Sequence, residues 1–428
     1  MTKNLVAALA LVACFLFYAC GGEESQPNVI ITNMLPLSGP KATVVTLTGT
    51  GFSQSIAENI VTINDKPCEV SVATATSLTI TIPAKAGSGN LVVKVKGKSA
   101  QSPSFEYLIT QTVSTFAGST AGFANGTGTT AQFNGLIGLA IDNNDNILVT
   151  ETFNNRIRKI SPLGVVTTFA NNSGSSGNVD GAIADATFNA LRGLAFDQGG
   201  NLFIADNSRI RKITPAGVVS TIAGSTPGFA DGTGTAAQFG DPYSLALDQD
   251  GNLFVADFFN HRIRKVTPAG VVTTFAGSTQ GSADGSGLGA QFKFPQSLVF
   301  DKNGNLFVTD GGNHRLRKIT PVGVVTTFAG SIQGFADGSV AVARFDSPGN
   351  LVFDTDGNLF VAEPSKARIR KISPSGLVST FAGSTSGFAD GTGTEAKFRD
   401  PWGMAFDKGG NLFVVDRTNN RIRKIVSE

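Results

Sequence analysis

The residues best suited to chemistry in this 428-residue sequence recur at a fixed interval. Six aspartates, from Asp142 to Asp407, each end a short apolar stretch such as LALD, and His261 and His314 occupy the same position in neighbouring copies. Catalysis by a general acid and base needs unlike partners, and a catalytic zinc normally has three protein ligands. Six equivalent carboxylates are typical of turn caps. We therefore expect no catalytic residue, no metal site and no cofactor, and we expect both histidines to cap loops.

Two turns resemble the start of a calcium-binding loop. They read DQDGN at residues 248–252 and DTDGN at residues 354–358. The glycine stands at the fourth position instead of the sixth, and no glutamate follows at the twelfth, so the spacing argues against calcium. Asp-Gly between two apolar strands is first of all a hairpin signal, and hairpin turns are what we expect.

Basic residues are repeated as well. Six segments of the form RIRK or RLRK supply 18 of the 34 lysines and arginines. They could form a girdle that binds polyanions, or they could pair with the acidic residue that precedes each segment. The 32 acidic residues leave almost no net charge, which favours pairing and argues against a nucleic acid partner. The six preceding acids are Glu151, Asp206, Asp257, Asp310, Glu363 and Asp416.

A repeat positions all of these residues. The segments that resemble VVTTFAG begin 53 residues apart, which makes six copies. Each copy contains four strand patterns separated by turns, and the LFVAD pattern is continuously apolar, as in a strand covered on both faces. Six four-stranded units predict an all-β protein with a six-bladed β-propeller. The copies begin at Thr112, Val165, Val218, Val271, Val324 and Leu377.

The consensus GLAFD..GNLFVAD..NNRIRKI.P.G resembles the NHL repeat family. The resemblance implies that LALD is the innermost strand of a blade, LFVAD the second, RIRKV the third and the following VVTTFAG the outer one. The sixth copy then lacks an outer strand, and the strand at residues 112–118 is spare. We therefore expect the propeller, residues 112–428, to close its ring by pairing that strand with the last one, which removes an open edge.

Positions that differ between the copies are the candidates for ligand binding. One precedes each innermost strand, and others lie in the loop between the second and third strands. Trp, Tyr and Arg are common anchors of interfaces, aromatic rings stack on sugars, and exposed Phe is costly without a partner. We predict a ligand-binding rim; the alternative is that these rings plug the channel mouth. The predicted rim residues are Ile137, Arg192, Tyr243, Gln296, Trp402, Phe153, Phe258, Phe259, Lys366 and Arg417.

Residues 28–109 have a different pattern. Apolar and polar residues alternate, with turn residues every eight to twelve positions, which indicates a β-sandwich. The stretches LPLSGP, LTGTGFS and IPAKAGSGNLVVKV are similar to the IPT/TIG family of immunoglobulin-like modules, which serve as spacers or interaction domains. We expect Cys68 to be a small buried hydrophobic residue.

The first residues resemble a bacterial lipoprotein signal. Lys3 precedes an apolar stretch that is too short to span a bilayer, and the sequence turns polar after Cys20. We predict a signal peptide at residues 1–19, lipidation of Cys20 and a tether at residues 20–27. LVAC ending at Cys14 fits the lipobox better but would leave the apolar FLFY on the mature chain. An ordinary secretory signal is a further alternative.

These features together predict a lipid-anchored envelope protein. Glu23 and Glu24 resemble the acidic export tags of Bacteroidetes surface lipoproteins, so we expect an outer-membrane protein that faces outward. We expect a monomer that touches the membrane through its anchor alone and binds a protein, peptide or glycan with one propeller face, without catalysis. The alternatives are a metal-dependent lyase or hydrolase, as among NHL-like enzymes, and a structural scaffold of the envelope.

Overall fold

The computed structural model describes residues 28–428, which divide into two compact units between Ile109 and Thr110. Both units consist of β-strands and turns. The predicted signal peptide, the tether, Cys14 and Cys20 lie outside the described residues. Within the described part of the chain, no helix has the length and apolar character to cross a bilayer.

The first unit is one curled sheet of eight strands, in the order β1-β3-β6-β5-β4-β7-β8-β2. Alternate side chains point inward along β3, where Val45 and Leu47 are fully buried. Cys68 belongs to the same core, and burial raises the pKa of its thiol to about 11. The predicted role of Cys68 is therefore confirmed. The strands are β1 (Ile30–Leu35), β2 (Ser38–Gly39), β3 (Val44–Thr50), β4 (Asn59–Ile63), β5 (Lys66–Ala73), β6 (Ser77–Thr81), β7 (Gly89–Val95) and β8 (Lys98–Tyr107).

The second unit begins with β9 (Gln111–Ala117) and continues as a ring of six five-stranded sheets, which we call blades I to VI. Each blade has an inner, a second, a third and an outer strand, and a two-residue strand from the long loop before the inner strand lies along the outer one. The predicted strand order and the six-bladed propeller are confirmed. The short 3-10 turns are Ile56–Glu58, Gly128–Thr130, Gly234–Ala236, Gly287–Gly289, Gly311–Asn313, Pro364–Lys366 and Gly393–Glu395.

The bounds of the blade strands follow the repeat. Blade I has β10 (Gly126–Thr127), β11 (Leu136–Ile141), β12 (Ile147–Glu151), β13 (Arg156–Ile160) and β14 (Val165–Ala170). Blade II has β15 (Gly181–Ala182), β16 (Leu191–Phe196), β17 (Leu202–Asp206), β18 (Arg209–Ile213) and β19 (Val218–Gly224). Blade III has β20 (Gly232–Thr233), β21 (Pro242–Leu247), β22 (Leu253–Asp257), β23 (Arg262–Val266) and β24 (Val271–Ala276).

The remaining blades continue the pattern. Blade IV has β25 (Gly285–Ser286), β26 (Pro295–Phe300), β27 (Leu306–Asp310), β28 (Arg315–Ile319) and β29 (Val324–Ala329). Blade V has β30 (Gly338–Ser339), β31 (Leu351–Phe353), β32 (Leu359–Glu363), β33 (Arg368–Ile372) and β34 (Leu377–Gly383). Blade VI has β35 (Gly391–Thr392), β36 (Pro401–Phe406), β37 (Leu412–Asp416) and β38 (Arg421–Ser427).

The ring closes in blade VI, where β9 supplies the outer strand. It pairs antiparallel with β38 from Ile422 opposite Ala117 to Ser427 opposite Gln111. Strands from the two ends of the propeller thus complete one sheet, and the predicted closure is confirmed.

Phenylalanines hold neighbouring blades together. The ring of Phe254 in blade III meets Phe275 of the same blade edge-on, at 4.9 Å between centroids, and Phe300 of blade IV at 5.2 Å. Edge-to-face pairs at such distances are favourable beyond the area they bury. The same trio recurs where blade IV meets blade V and where blade V meets blade VI.

Inner strands of neighbouring blades approach each other closely. A Cβ atom at Gly138 would lie 2.5 Å from the Arg192 carbonyl oxygen, and one at Gly403 would lie 2.5 Å from that of Ile137. A side chain at either glycine would therefore push two blades apart. Because the inner strands are fixed in this way, the residues at their starts come together at one mouth of the ring.

A fully buried arginine on each third strand ties that strand to the second strand and to the long loop of its blade. Arg264 Nη1 donates to Asp257 on the second strand at 2.8 Å, and Nη2 donates to Asp231 in the long loop at 2.6 Å. The same nitrogens also donate to the carbonyl oxygens of Gln238 and Ala230. Pairing inside the blade, one of the two alternatives for the basic segments, is therefore correct for this arginine. Its counterparts are Arg158, Arg211, Arg317, Arg370 and Arg423.

The acidic partners on the second strands are also buried. Burial raises the pKa of Asp206 to about 6, against the opposing effects of the Asn189 N–H and of Arg211. Removing the arginine would remove the main positive charge that favours the ionised carboxyl. A buried charge without its partner is strongly unfavourable, so each arginine and its acid depend on each other.

We predict that Arg264→Met lowers the free energy of unfolding of the propeller by about 3 to 5 kcal/mol, because Asp257 and two loop carbonyls lose their donors. Thermal and urea unfolding would measure the loss. The control is Lys265→Met on the same strand, whose half-exposed ammonium lies 5.5 Å from the centre of the Phe254 ring. Equal losses in the two variants would contradict the structural role of the buried pair.

Candidate functional site

The two faces of the propeller carry different loops. The lower face carries the turns between inner and second strands, where Asp248 Oδ1 accepts from the backbone N–H groups of Asp250 and Asn252 at 3.0 and 2.8 Å. Asp248 and its equivalents in the other blades therefore cap these turns, as predicted. The upper face carries the starts of the inner strands, the loops between second and third strands and the long loops. The positions that vary between the copies lie on this upper face.

Two aromatic rings meet across the mouth of the channel on the upper face. Tyr243 and Trp402 start the inner strands of blades III and VI, which are opposite in a six-membered ring, yet their ring centroids are 5.5 Å apart. Tyr243 also stacks on Phe258 at 5.2 Å, and Phe258 stacks on Phe294 at 4.9 Å. An aromatic row therefore runs from the channel axis to the loops of blades III and IV. We call these four residues the mouth row.

An ion pair flanks the mouth row on one side. Asp241 accepts from Arg192 Nε and Nη2, both at 3.1 Å, so the pair is bidentate. The Arg192 guanidinium lies 5.1 Å from the centre of the Tyr243 ring, within the range of a cation–π contact. Burial raises the pKa of the Tyr243 phenol.

A second acidic residue flanks the mouth row at the opposite blade. Asp400 accepts from Trp402 Nε1 at 2.9 Å and from Arg417 Nη1 at 3.4 Å. Asp241 and Asp400 are equivalent in the repeat, and both take a left-handed backbone conformation, with φ of 60° and 65°. Sequence reasoning missed both residues. The available signal was the motif Asp-Pro-aromatic, which occurs only in these two copies.

Three other inner-strand positions complete the mouth. Ile137 is only 4% exposed and serves as packing. Gln296 is half-buried, and its Oε1 has no hydrogen-bond partner among the described residues. At Gly349 a Cβ atom would lie in ordinary contact with the Trp402 ring, at 3.5 Å, and closer to Pro364, at 3.1 Å.

The predicted loop residues divide into two groups. Phe258 joins the mouth row, and Phe259 contacts it edge-on while remaining 60% exposed. Phe153 is 66% exposed and lies against Gly135 in blade I. Lys366 pairs with Asp346 at 3.0 Å, in blade V. These contacts do not connect Phe153 or Lys366 to the mouth row.

Both histidines connect neighbouring blades. His261 Nδ1 accepts from the backbone N–H of Phe294 at 3.2 Å, and His314 Nδ1 accepts from that of Ser347 at 3.1 Å. Each therefore caps the long loop of the next blade, as predicted. Within residues 28–428, no three His, Cys, Asp or Glu side chains come together in a group that could hold a metal ion.

Comparison with protein families matches both units. The IPT/TIG domain family matches residues 29–107, and the NHL repeat family matches residues 292–319 and 398–425. The protein named SUPPRESSOR OF QUENCHING 1 of Arabidopsis thaliana is 27% identical over 281 residues, which are 59% of this chain. The match covers only 26% of that relative's length.

Solved structures match nearly the whole chain. An auxiliary nutrient binding protein from Bacteroides ovatus superposes with a TM-score of 0.64 at 20% identity, over 94% of this chain and 99% of that one. One from Bacteroides thetaiotaomicron gives a TM-score of 0.61 at 19% identity, over 94% and 98% of the two chains. At this level of identity the similarity shows the fold.

We predict that protonation of His261 destabilises the contact between blades III and IV. Burial, helped by Arg262 and Lys293, lowers the pKa of His261 from its ordinary value of 6.5, so the folded protein favours the neutral ring that accepts from Phe294. The stability that the neutral ring confers is fully present above about pH 6.5 and is lost as the pH falls through the lowered pKa.

Melting temperatures between pH 8 and pH 5 would test this against His261→Asn. Asparagine suits the site because Asn155 and Asn420 take the same left-handed conformation in other copies, with φ of 52° and 54°. The variant should lose less stability than the wild type as the pH falls. Parallel pH profiles would contradict the prediction.

Proposed function

Because the chain combines an IPT/TIG domain with a six-bladed propeller that contains NHL repeats, we propose that it is a binding protein without catalytic activity whose propeller mouth recognises a saccharide. One observation carries the proposal. Tyr243 and Trp402 meet across the channel axis between two acidic residues, each held by an arginine. The repeat does not require these residues, since the other copies do without them.

The chemistry of the mouth suits a sugar better than a peptide. Saccharides present an apolar ring face bordered by hydroxyl groups, and half-buried aromatic rings offer a stacking surface for that face. Asp241 and Asp400 have fixed positions beside the rings and can accept from hydroxyl groups, while Arg192 and Arg417 can donate to ring or hydroxyl oxygens. The existing contacts hold these groups in place, which lowers the entropic cost of binding.

The structural neighbours support a binding role. Two of the solved structures that match over nearly the whole chain are named auxiliary nutrient binding proteins. A binding role at the cell envelope would give the IPT/TIG unit the task of holding the propeller away from the membrane.

We predict that the double variant Tyr243→Ala, Trp402→Ala loses saccharide binding. Loss of a real anchor costs about 2 kcal/mol, or roughly 30-fold in affinity for each residue. A glycan array followed by calorimetry on the hits would measure the loss. The control is Phe388→Ala, which removes a 47% exposed aromatic residue from a long loop.

The outcomes distinguish the alternatives. Equal glycan binding by the double variant and the wild type would overturn the assignment of the mouth. Peptide binding that the double variant loses, in place of glycan binding, would make the mouth a protein-binding site. The melting temperature of each variant shows whether the fold is intact.

We also propose that Cys20 carries a lipid and holds the protein at the outer membrane. In cells fed labelled palmitate, Cys20→Ala should lose both the label and the membrane fraction, while Cys14→Ala should keep both. The reverse result would move the lipid to Cys14, and an unlabelled wild type would contradict the anchor.

A further inference from the structure

One position in the long loop breaks the pattern of the repeat. In five copies an aspartate accepts from the buried arginine of the third strand, and in blade I the equivalent residue is Asn125. This position contributes to the structure of the blade, because the five aspartates also accept hydrogen bonds from the outer strand. Asp231, for example, accepts from the N–H and the hydroxyl of Thr274, each at 3.2 Å. The five aspartates are Asp180, Asp231, Asp284, Asp337 and Asp390.

In blade I the outer strand lacks this acceptor. Asn125 Oδ1 accepts from Arg158 Nη2 at 2.8 Å, which uses the oxygen of the amide. Thr168 is the counterpart of Thr274, and in the described part of the chain no hydrogen bond joins it to Asn125. An amide has one oxygen where a carboxylate has two. Blade I therefore leaves the N–H and hydroxyl of Thr168 without the carboxylate oxygens that accept from the outer strand in the other blades.

The substitution also removes one negative charge from beside the two arginines. In blade III, Arg262 and Arg264 are balanced by Asp257 and Asp231, and the other four blades with the loop aspartate keep the same balance. Blade I has two arginines, Arg156 and Arg158, and Glu151 alone. Burial and the charge of Arg158 lower the pKa of Arg156, and Glu151 is the acidic residue that opposes them.

Two exposed phenylalanines lie in the loops of blade I. Phe123 is 43% exposed, and the Arg156 guanidinium stacks over its ring at 3.8 Å from the centroid. Phe153 is 66% exposed. The loop that carries Phe153 is tied to the residue before Phe123, because Asn154 Nδ2 donates to the Gly122 carbonyl at 2.9 Å.

We propose that the edge of blade I binds a carboxylated sugar of the uronate class. The carboxylate takes the place of the missing aspartate and accepts from Thr168 and from Asn125 Nδ2, and it restores the negative charge that the other five blades have at this position. The sugar ring stacks on Phe123. This site is separate from the mouth row and does not depend on its function.

The repeat supplies matched variants for the test. Asn125→Asp restores the carboxylate in blade I, and Asp231→Asn creates the same vacancy in blade III. Blade III has equivalent aromatic surroundings, since Phe229 and Phe259 are 46% and 60% exposed. The probe is digalacturonate, with its neutral methyl ester as the matched control ligand, and calorimetry or NMR titration gives the number of sites and their affinities.

We expect one digalacturonate site on the blade edges of the wild type, at least tenfold weaker binding in Asn125→Asp, and a second site in Asp231→Asn. The ester should bind at least tenfold more weakly than the acid. All titrations are repeated with Tyr243→Ala, Trp402→Ala in the same chain, so that failure at the mouth and failure at blade I are distinguishable.

Three results would overturn the proposal. They are unchanged binding in Asn125→Asp, equal binding of acid and ester, and a folded Asp231→Asn variant that gains no site. Binding of an acidic peptide to blade I in place of digalacturonate would overturn the assignment to a sugar. Melting temperatures verify that each variant is folded.

Discussion

The buried arginine of each third strand is the interaction on which the surface of the propeller depends. In blade III, Arg264 reaches an acid on the second strand, two carbonyl groups and a loop aspartate, so a single side chain fixes a long glycine-rich segment against its blade. The buried acid on the second strand cannot change alone, because a buried charge without its partner is strongly unfavourable. The partner in the long loop can change, since Asn125 takes the place of the aspartate in blade I. The residues at the mouth of the ring lie outside this network and differ between the copies.

The mouth is defined by the close approach of the inner strands. Glycines such as Gly138 and Gly403 let neighbouring backbones touch, so the ring is narrow enough for side chains from opposite blades to meet. Tyr243 and Trp402 do so. A recognition surface thus arises from a few large side chains that converge where the scaffold is tightest.

The repeat made most of the fold predictable, including the six blades, the strand order, the ring closure and the turn caps. The repeat did not show which of the two arginines in each RIRK segment is buried, because both arginines alternate with apolar residues in the same strand. The contact of Tyr243 with Trp402 could have been inferred, because these residues are three repeats apart and three blades are half a turn of the ring. The ion pair of Arg192 with Asp241 could not have been inferred. It joins residues of two copies, and the conformation of the loops decides whether they meet.

A difference between the copies has one meaning where the scaffold accepts many residue types and another where the scaffold needs one residue type. At the starts of the inner strands the scaffold accepts Ile, Arg, Tyr, Gln, Gly or Trp, so each residue there can follow the needs of a ligand. At the loop aspartate the scaffold needs a carboxylate, and its replacement in blade I removes contacts that the other blades keep. A residue that weakens its own blade requires another reason to be there. For Asn125, that reason is a carboxylate supplied from outside the chain.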